Sequence, residues 1–166
     1  LQDYLADTGF CGDRSITNSG DGYSTTSYTE YGAVNRLAKT NKIPILTCPD
    51  KEHDLYTIDS TKGNSALTNP VGLMTADEAA MAGMVNGYLN TLSYVYTGTW
   101  YWTMSPYNFY PSNSTSVVWS VNGTGNFGGN WVTNGYGVRP VINLKSDVEI
   151  SGGIGTINEP FIIKTN

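Results

Sequence analysis

All four tryptophans of this chain, Trp100, Trp102, Trp119 and Trp131, fall in one stretch rich in Gly, Asn and Tyr. Inside it, WYWTM alternates Trp100, Trp102 and Met104 on one side with Tyr101 and Thr103 on the other. Two is the period of a strand, because successive Cβ atoms leave a strand on opposite faces. Gly and Asn punctuate the stretch every few residues, which rules out one long helix. SYVYTGTWYWTMSP is expected to form two strands around a Thr97–Gly98 turn, with further strands in SVVWSV (116–121) and GVRPVINL (137–144). Trp102, Met104 and Trp119 are the expected core of this half. PYNFYPSNSTS (106–116) and NGTGNFGGNWVTNGYG (122–137) lack apolar periodicity and read as loops.

The first half carries the helical signals. In TADEAAMAGMVNG, Thr75 is the expected N-cap, Glu78 completes a capping box and Gly87 ends the helix. Ala79, Met81, Ala82, Met84 and Val85 would form its core face. In TSYTEYGAVNRLAKT, Tyr28, Tyr31, Val34 and Leu37 mark one face of a second short helix, with Arg36 and Lys39 near its cation-favouring C-terminus. LQDYL reads as a helical turn, Ile16–Ser27 as loop, IPILTC (43–48) as a buried extended segment, DLYTIDS (54–60) as a strand and Phe161–Ile163 as a last strand. The whole, residues 1–166, is read as one α+β domain: two short helices, a small mainly antiparallel sheet and long loops. The chain starts on Leu1, which reads as a mature product or excised domain with an anchor or pilin-like helix upstream.

Nine Lys plus Arg against fourteen Asp plus Glu leave a net charge of −5, the opposite of the basic footprint a nucleic-acid binder needs. No apolar run reaches the roughly 20 residues that span a bilayer, so no direct membrane insertion is expected of this segment. Only 14% of residues are charged; the polarity comes from Gly, Tyr, Ser, Thr and Asn, the residues of adaptable binding surfaces. This points to the cell surface or extracellular space. Cys11 and Cys48 are the only cysteines, and the expectation for an exported chain is one disulfide between them; a catalytic Cys–His pair with His53 is the alternative. NSGDG (18–22) and SDVE (146–149) have the oxygen-rich look of calcium loops, and calcium is the one cofactor considered. The carboxylates are scattered, and no nucleophile-elbow, phosphate-loop or zinc-protease motif is present, so no enzymatic activity is expected. Tyr107, Phe109, Tyr110, Phe127 and Trp131, set in polar loops on a sheet scaffold, suggest a recognition surface. Asn113 and Asn122 head N-x-[ST] sequons.

VGLMTADEAAMAG (71–83), YWTMSPY (101–107) with VVWSV (117–121), and GVRPVINLKSDVEISGGIGTINEPFII (137–163) together resemble a bacterial family of exported proteins that often carry a type IV prepilin-like N-terminal segment. FCGDRS and PILTC resemble that family's paired-cysteine region. The resemblance implies a C-type-lectin-like fold, shared with formylglycine-generating enzymes and with the variable proteins of diversity-generating retroelements. No Cys follows Cys48, so the catalytic cysteines of formylglycine-generating enzymes have no counterpart. Carried over, the scaffold would be Trp102, Trp119, Gly137, Val138 and Arg139, with the Arg139 guanidinium bonded to loop carbonyls. The ligand-facing positions would be Tyr107, Asn108, Tyr110, Ser120, Asn122, Asn126, Phe127, Asn130, Trp131, Thr133 and Asn134. The implied role is an adhesin or display domain, diversified by a retroelement, that meets a protein or glycan ligand on another cell or a phage host. The second implied role is a pilin-like subunit that self-associates into a filament.

Overall fold

The computed structural model describes residues 2–17, 22, 26–38, 42–59, 61–156 and 158–165. Within NSGDG, residues 18–21 lie outside the described residues, as do 23–25 of the expected Ile16–Ser27 loop, Lys39 and Thr40 at the expected end of the first helix, and Ser60 of DLYTIDS.

In chain order the elements are β1 (Phe10–Cys11), β2 (Thr29–Glu30), α1 (Gly32–Leu37), α2 (Lys51–Asp54), β3 (Leu55–Thr57), β4 (Ser65–Ala66), β5 (Val71–Gly72) and α3 (Ala76–Met81). There follow β6 (Tyr101–Tyr110), β7 (Thr115–Val121), β8 (Phe127–Trp131), β9 (Val141–Ile142), β10 (Ile150–Gly152) and β11 (Ile162–Ile163). Helix and sheet are mixed, the helices are short, and the main sheet is antiparallel in the order β2-β6-β7-β8. Register shifts between Trp102 and Asn108 bend β6 against β7, the usual effect of an extra residue in one strand. The remaining strands form small sheets: β1-β3-β4, β5-β9 and the β10–β11 pair.

α1 and α3 pack on one face of the main sheet. Ala33, Val34 and Leu37 of α1 and Ala76 and Ala79 of α3 meet Tyr101, Trp119, Val121 and Phe127, with Met84 and Val95 closing the cluster. The small Ala and Gly side chains let such short helices sit close to the sheet. α3 forms as its sequence requires: Thr75 Oγ1 accepts from the Glu78 amide at 3.1 Å while Glu78 Oε2 accepts from the Thr75 amide at 2.7 Å. It ends one turn earlier than expected. Gly83, at φ +96, takes the left-handed position after the cap residue Ala82, and Gly87 lies beyond the helix. Met81 and Val85, expected in the core, are exposed. α1 begins at Gly32, so Tyr28 lies before the helix and pairs instead with Tyr110, ring centroids 5.2 Å apart.

Several strand expectations are corrected. The two stretches read as loops contribute the second half of β6 and all of β8, because the backbone of Gly128, Gly129 and Asn130 finds ladder partners in Ser120, Trp119 and Val118. Residues 91–99 form turns, not a strand, and 43–48 is a largely exposed connection with Ile43 and Leu46 in solvent. Of GVRPVINL only Val141–Ile142 is a strand.

Cys11 and Cys48 form a disulfide across 37 residues, which removes the thiolate that a Cys–His pair would need. Beside it, Arg36 bridges two buried carboxylates. Its Nε and Nη2 donate to Asp77 at 2.8 and 2.6 Å, and Nη2 also reaches Asp13 Oδ2 at 2.7 Å. Burial works to lower the Arg36 pKa, but its bonds to both aspartates outweigh it and the net shift is upward. Burial pushes the Asp13 carboxyl up, against the pull of Arg36.

Candidate functional site

The alternation in WYWTM sets up the site, with its faces reversed from the expectation. Tyr101 and Thr103 point into the core, Tyr101 donating to the Val95 carbonyl at 2.6 Å and Thr103 to the Trp119 carbonyl at 2.9 Å. Trp102 and Met104 stand half-buried on the opposite face. On that face the register sets Trp102 beside Ser120, Ser120 beside Gly128, and Val118 beside Asn130.

The chain after β8 folds back over this face and brings Tyr136 between two indoles. The Tyr136 ring centroid is 4.6 Å from Trp102, stacked at 30°, and 4.6 Å from Trp100. Such offset pairs are favourable beyond the area they bury. A chain of hydrogen bonds runs alongside: Asn134 Nδ2 donates to the Tyr136 hydroxyl (3.1 Å), which donates to Asn130 Oδ1 (3.3 Å), and Asn130 Nδ2 donates to Ser120 Oγ (2.8 Å). Aromatic faces beside fixed amides form a surface that can stack on an apolar ring face and bond to polar groups at its edge. Gly137 lets the return segment close. Its amide donates to the Trp100 carbonyl at 2.9 Å, and a Cβ there would come within 3.1 Å of that oxygen. Arg139 holds the other side, donating from Nη1 to the Val95 carbonyl at 2.9 Å and lying 4.8 Å over the Tyr101 ring. Val138, carried into the scaffold set, is exposed.

The ligand-facing positions implied by the resemblance fall into separate places. Asn130, Asn134 and Ser120 are joined by the bonds above, although Ser120 itself is buried beneath them. Tyr110, Trp131 and Thr133 are exposed, Trp131 at 55%. Asn122 organises a turn: its Oδ1 accepts from the Thr124 amide and hydroxyl and from the Asn126 amide at 2.8–2.9 Å. Three positions are interior and cannot face a ligand as the chain is folded. Phe127 is fully buried, stacked on Trp119 at 4.6 Å, and Asn108 and Ser120 are closed off beneath neighbouring side chains. Tyr107 is half-buried with its ring 4.7 Å from Trp119. Trp119, expected in the core, is fully buried there. Of the three aromatics of the face none belongs to the ligand-facing set: Trp102 belongs to the scaffold set, and Trp100 and Tyr136 to neither. Tyr136 sits in an NGYG run that carries no periodicity to single it out.

Among the described residues no three His, Cys, Asp or Glu side chains converge as a metal site, Asp147 and Glu149 included, and no helix is long and apolar enough to cross a membrane. The exposed His53 ring is held by Asp50, Nδ1 to Oδ2 at 2.9 Å. No curated protein and no solved structure matches the chain. Residues 25–146, which hold α1, α3 and all four strands of the main sheet, match the model of DUF6273, a domain of unknown function, and the chain belongs to that family.

Proposed function

We propose that this chain is an outward-facing, C-type-lectin-like binding module that takes a protein or glycan ligand on the Trp100–Tyr136–Trp102 face. The observation that carries the reading is the aromatic stack lying beside the Asn134–Tyr136–Asn130 hydrogen-bond chain on a rigid sheet. The disulfide is compatible with an oxidising, extracellular setting. Binding of the wild-type chain to a glycan array and to a displayed peptide library tests it. Trp100→Ala should weaken the captured ligands about tenfold, the scale of an aromatic anchor, with melting little changed. Ligands held as tightly by this variant as by the wild-type chain would move the site elsewhere. In its sharper form the ligand-facing positions left at the surface are diversified by a retroelement; sequencing across isolates should then show substitutions concentrated at Tyr110, Asn130, Trp131, Thr133 and Asn134.

A second reading, a filament subunit, is favoured by one feature: the β10–β11 hairpin leaves Ile150, Ile154, Phe161 and Ile162 exposed. It requires concentration-dependent self-association in sedimentation that Ile154→Asp and Phe161→Asp abolish.

A further inference from the structure

Asn followed by Gly occurs three times in the chain, at Asn86–Gly87, Asn122–Gly123 and Asn134–Gly135. Each pair carries latent chemistry: the glycine nitrogen, unshielded by a neighbouring Cβ, can attack the amide carbon of the preceding side chain. The attack needs a side chain free to swing and a backbone free to follow it. The fold withholds both from the first two pairs. Asn86 Nδ2 and the Gly87 amide both donate to the Phe127 carbonyl, at 3.1 and 3.2 Å. Asn122 Oδ1 accepts from the Thr124 amide and hydroxyl and from the Asn126 amide, while the Gly123 carbonyl accepts from the Tyr96 hydroxyl at 3.0 Å. Asn134–Gly135 is different. Among the described residues the Gly135 amide donates to no group, and beyond its chain neighbours nothing stands within 4 Å of where a Cβ would be. Gly135 is exposed, and the Asn134 side chain has one partner among the described residues, the Tyr136 hydroxyl.

We propose that Asn134–Gly135 is a site of spontaneous modification, at which water converts Asn134 into an acid at the edge of the Trp100–Tyr136–Trp102 face. The Gly135 nitrogen bonds to Cγ of Asn134, the Cγ–Nδ2 bond breaks, and Nδ2 leaves as ammonia with the proton of the Gly135 amide. Water then opens the cyclic imide, its hydroxyl going to one carbonyl carbon and its proton to the Gly135 nitrogen. Attack at Cγ yields aspartate. Attack at the backbone carbonyl carbon yields isoaspartate, with the chain rerouted through Cγ. Either product gives residue 134 a carboxylate and no Nδ2 donor. The Tyr136 hydroxyl has one proton, which in the unmodified chain goes to Asn130 Oδ1. A bond to a carboxylate is the stronger, so in the aspartate product that proton turns to residue 134 and Asn130 loses it. The hydrogen-bond chain is cut at its middle and the face gains a negative charge. None of this requires that the face hold a ligand.

The test keeps the full chain, disulfide intact, at mildly alkaline pH and follows it by peptide mass spectrometry. Conversion of amide to acid should run about tenfold or more faster at Asn134 than at Asn86 or Asn122, whose additional hydrogen bonds must first break. In guanidinium chloride, with the fold gone, the three rates should draw together. Gly135→Ala, which has open space for its methyl group, should slow conversion at Asn134 severalfold and leave the other two sites as they were. Asn134→Asp, the aspartate product made directly, should shift the Asn130 side-chain amide resonances in NMR while those of Asn86 stay in place. Should that variant not fold, the same resonances in the ageing wild-type chain decide. Equal rates at the three sites in the folded chain overturn the proposal, as does a preference for Asn134 that survives in guanidinium chloride. So does a Gly135→Ala chain that converts at the wild-type rate, or an Asn130 amide that does not move.

Discussion

Arg36 shows how much one side chain can be asked to hold. It is the cation between Asp13 and Asp77, both interior, so removing it leaves two carboxylates facing each other without compensation. Arg36→Met is expected to destabilise the chain by about 3–5 kcal/mol, read from urea denaturation; a loss under 1 kcal/mol would mean that water already screens the pair. His53 offers a gentler test at the surface. Bonding to Asp50 raises its pKa above the ordinary 6.5, and the same contact, after the His53 amide, lowers that of Asp50. The stabilisation from His53 is therefore complete below pH 6.5 and disappears as pH rises through the raised value. That from Asp50 holds above the ordinary carboxylate range and is lost as pH falls. An NMR titration should find the His53 midpoint above 6.5 in the native chain and near 6.5 in Asp50→Asn. Trp119 could be assigned to the core from sequence, since a Trp amid Val-Val and Val is hard to leave in water. Phe127 could not, because its neighbours Gly, Asn and Gly are those of a loop.

At the scale of elements, the strongest local signal survived intact. Thr75 and Glu78 form their reciprocal cap because both partners lie within four residues, so no distant contact is needed. Thr75→Ala should cost about 1 kcal/mol, seen as a lower melting temperature with an unchanged spectrum. β8 is the opposite case. FGGNW has two glycines and no alternation, and intrinsic preference argues against a strand. It is one because β7 offers a ladder and because Gly129, opposite Trp119, leaves room for the Tyr107 ring. A Cβ at Gly129 would lie 2.6 Å from that ring and 2.8 Å from Val117. Gly129→Ala should therefore destabilise and shift the Tyr107 ring resonances, whereas Gly135→Ala, with open space around it, should leave both unchanged.

The whole molecule is stapled at one end. Closing a loop of 37 residues by the Cys11–Cys48 bond restricts the unfolded chain, worth about 4 kcal/mol in the chain-entropy model. Reduction should lower the denaturation midpoint accordingly, and it should loosen first the segment around Ile45, whose amide donates to Asp77 close to Cys48. An unchanged midpoint after reduction would mean that packing alone fixes this end.

What the sequence determined by itself was whatever could be closed over a few residues: the α3 cap, the period-two character of WYWTM, the mixture of short helices and strands. The pairing of the two cysteines followed from there being no others to choose between. The tertiary structure decided what depends on a partner far along the chain. Alternation gives a strand two faces but is silent on which one the helices will cover, and α1 and α3 chose the Tyr101 face, leaving Trp102 to meet Tyr136. Likewise the union of Asp13, Arg36 and Asp77 spans dozens of residues. No local periodicity records it, because the low dielectric that makes the union strong exists only after the chain has closed around it.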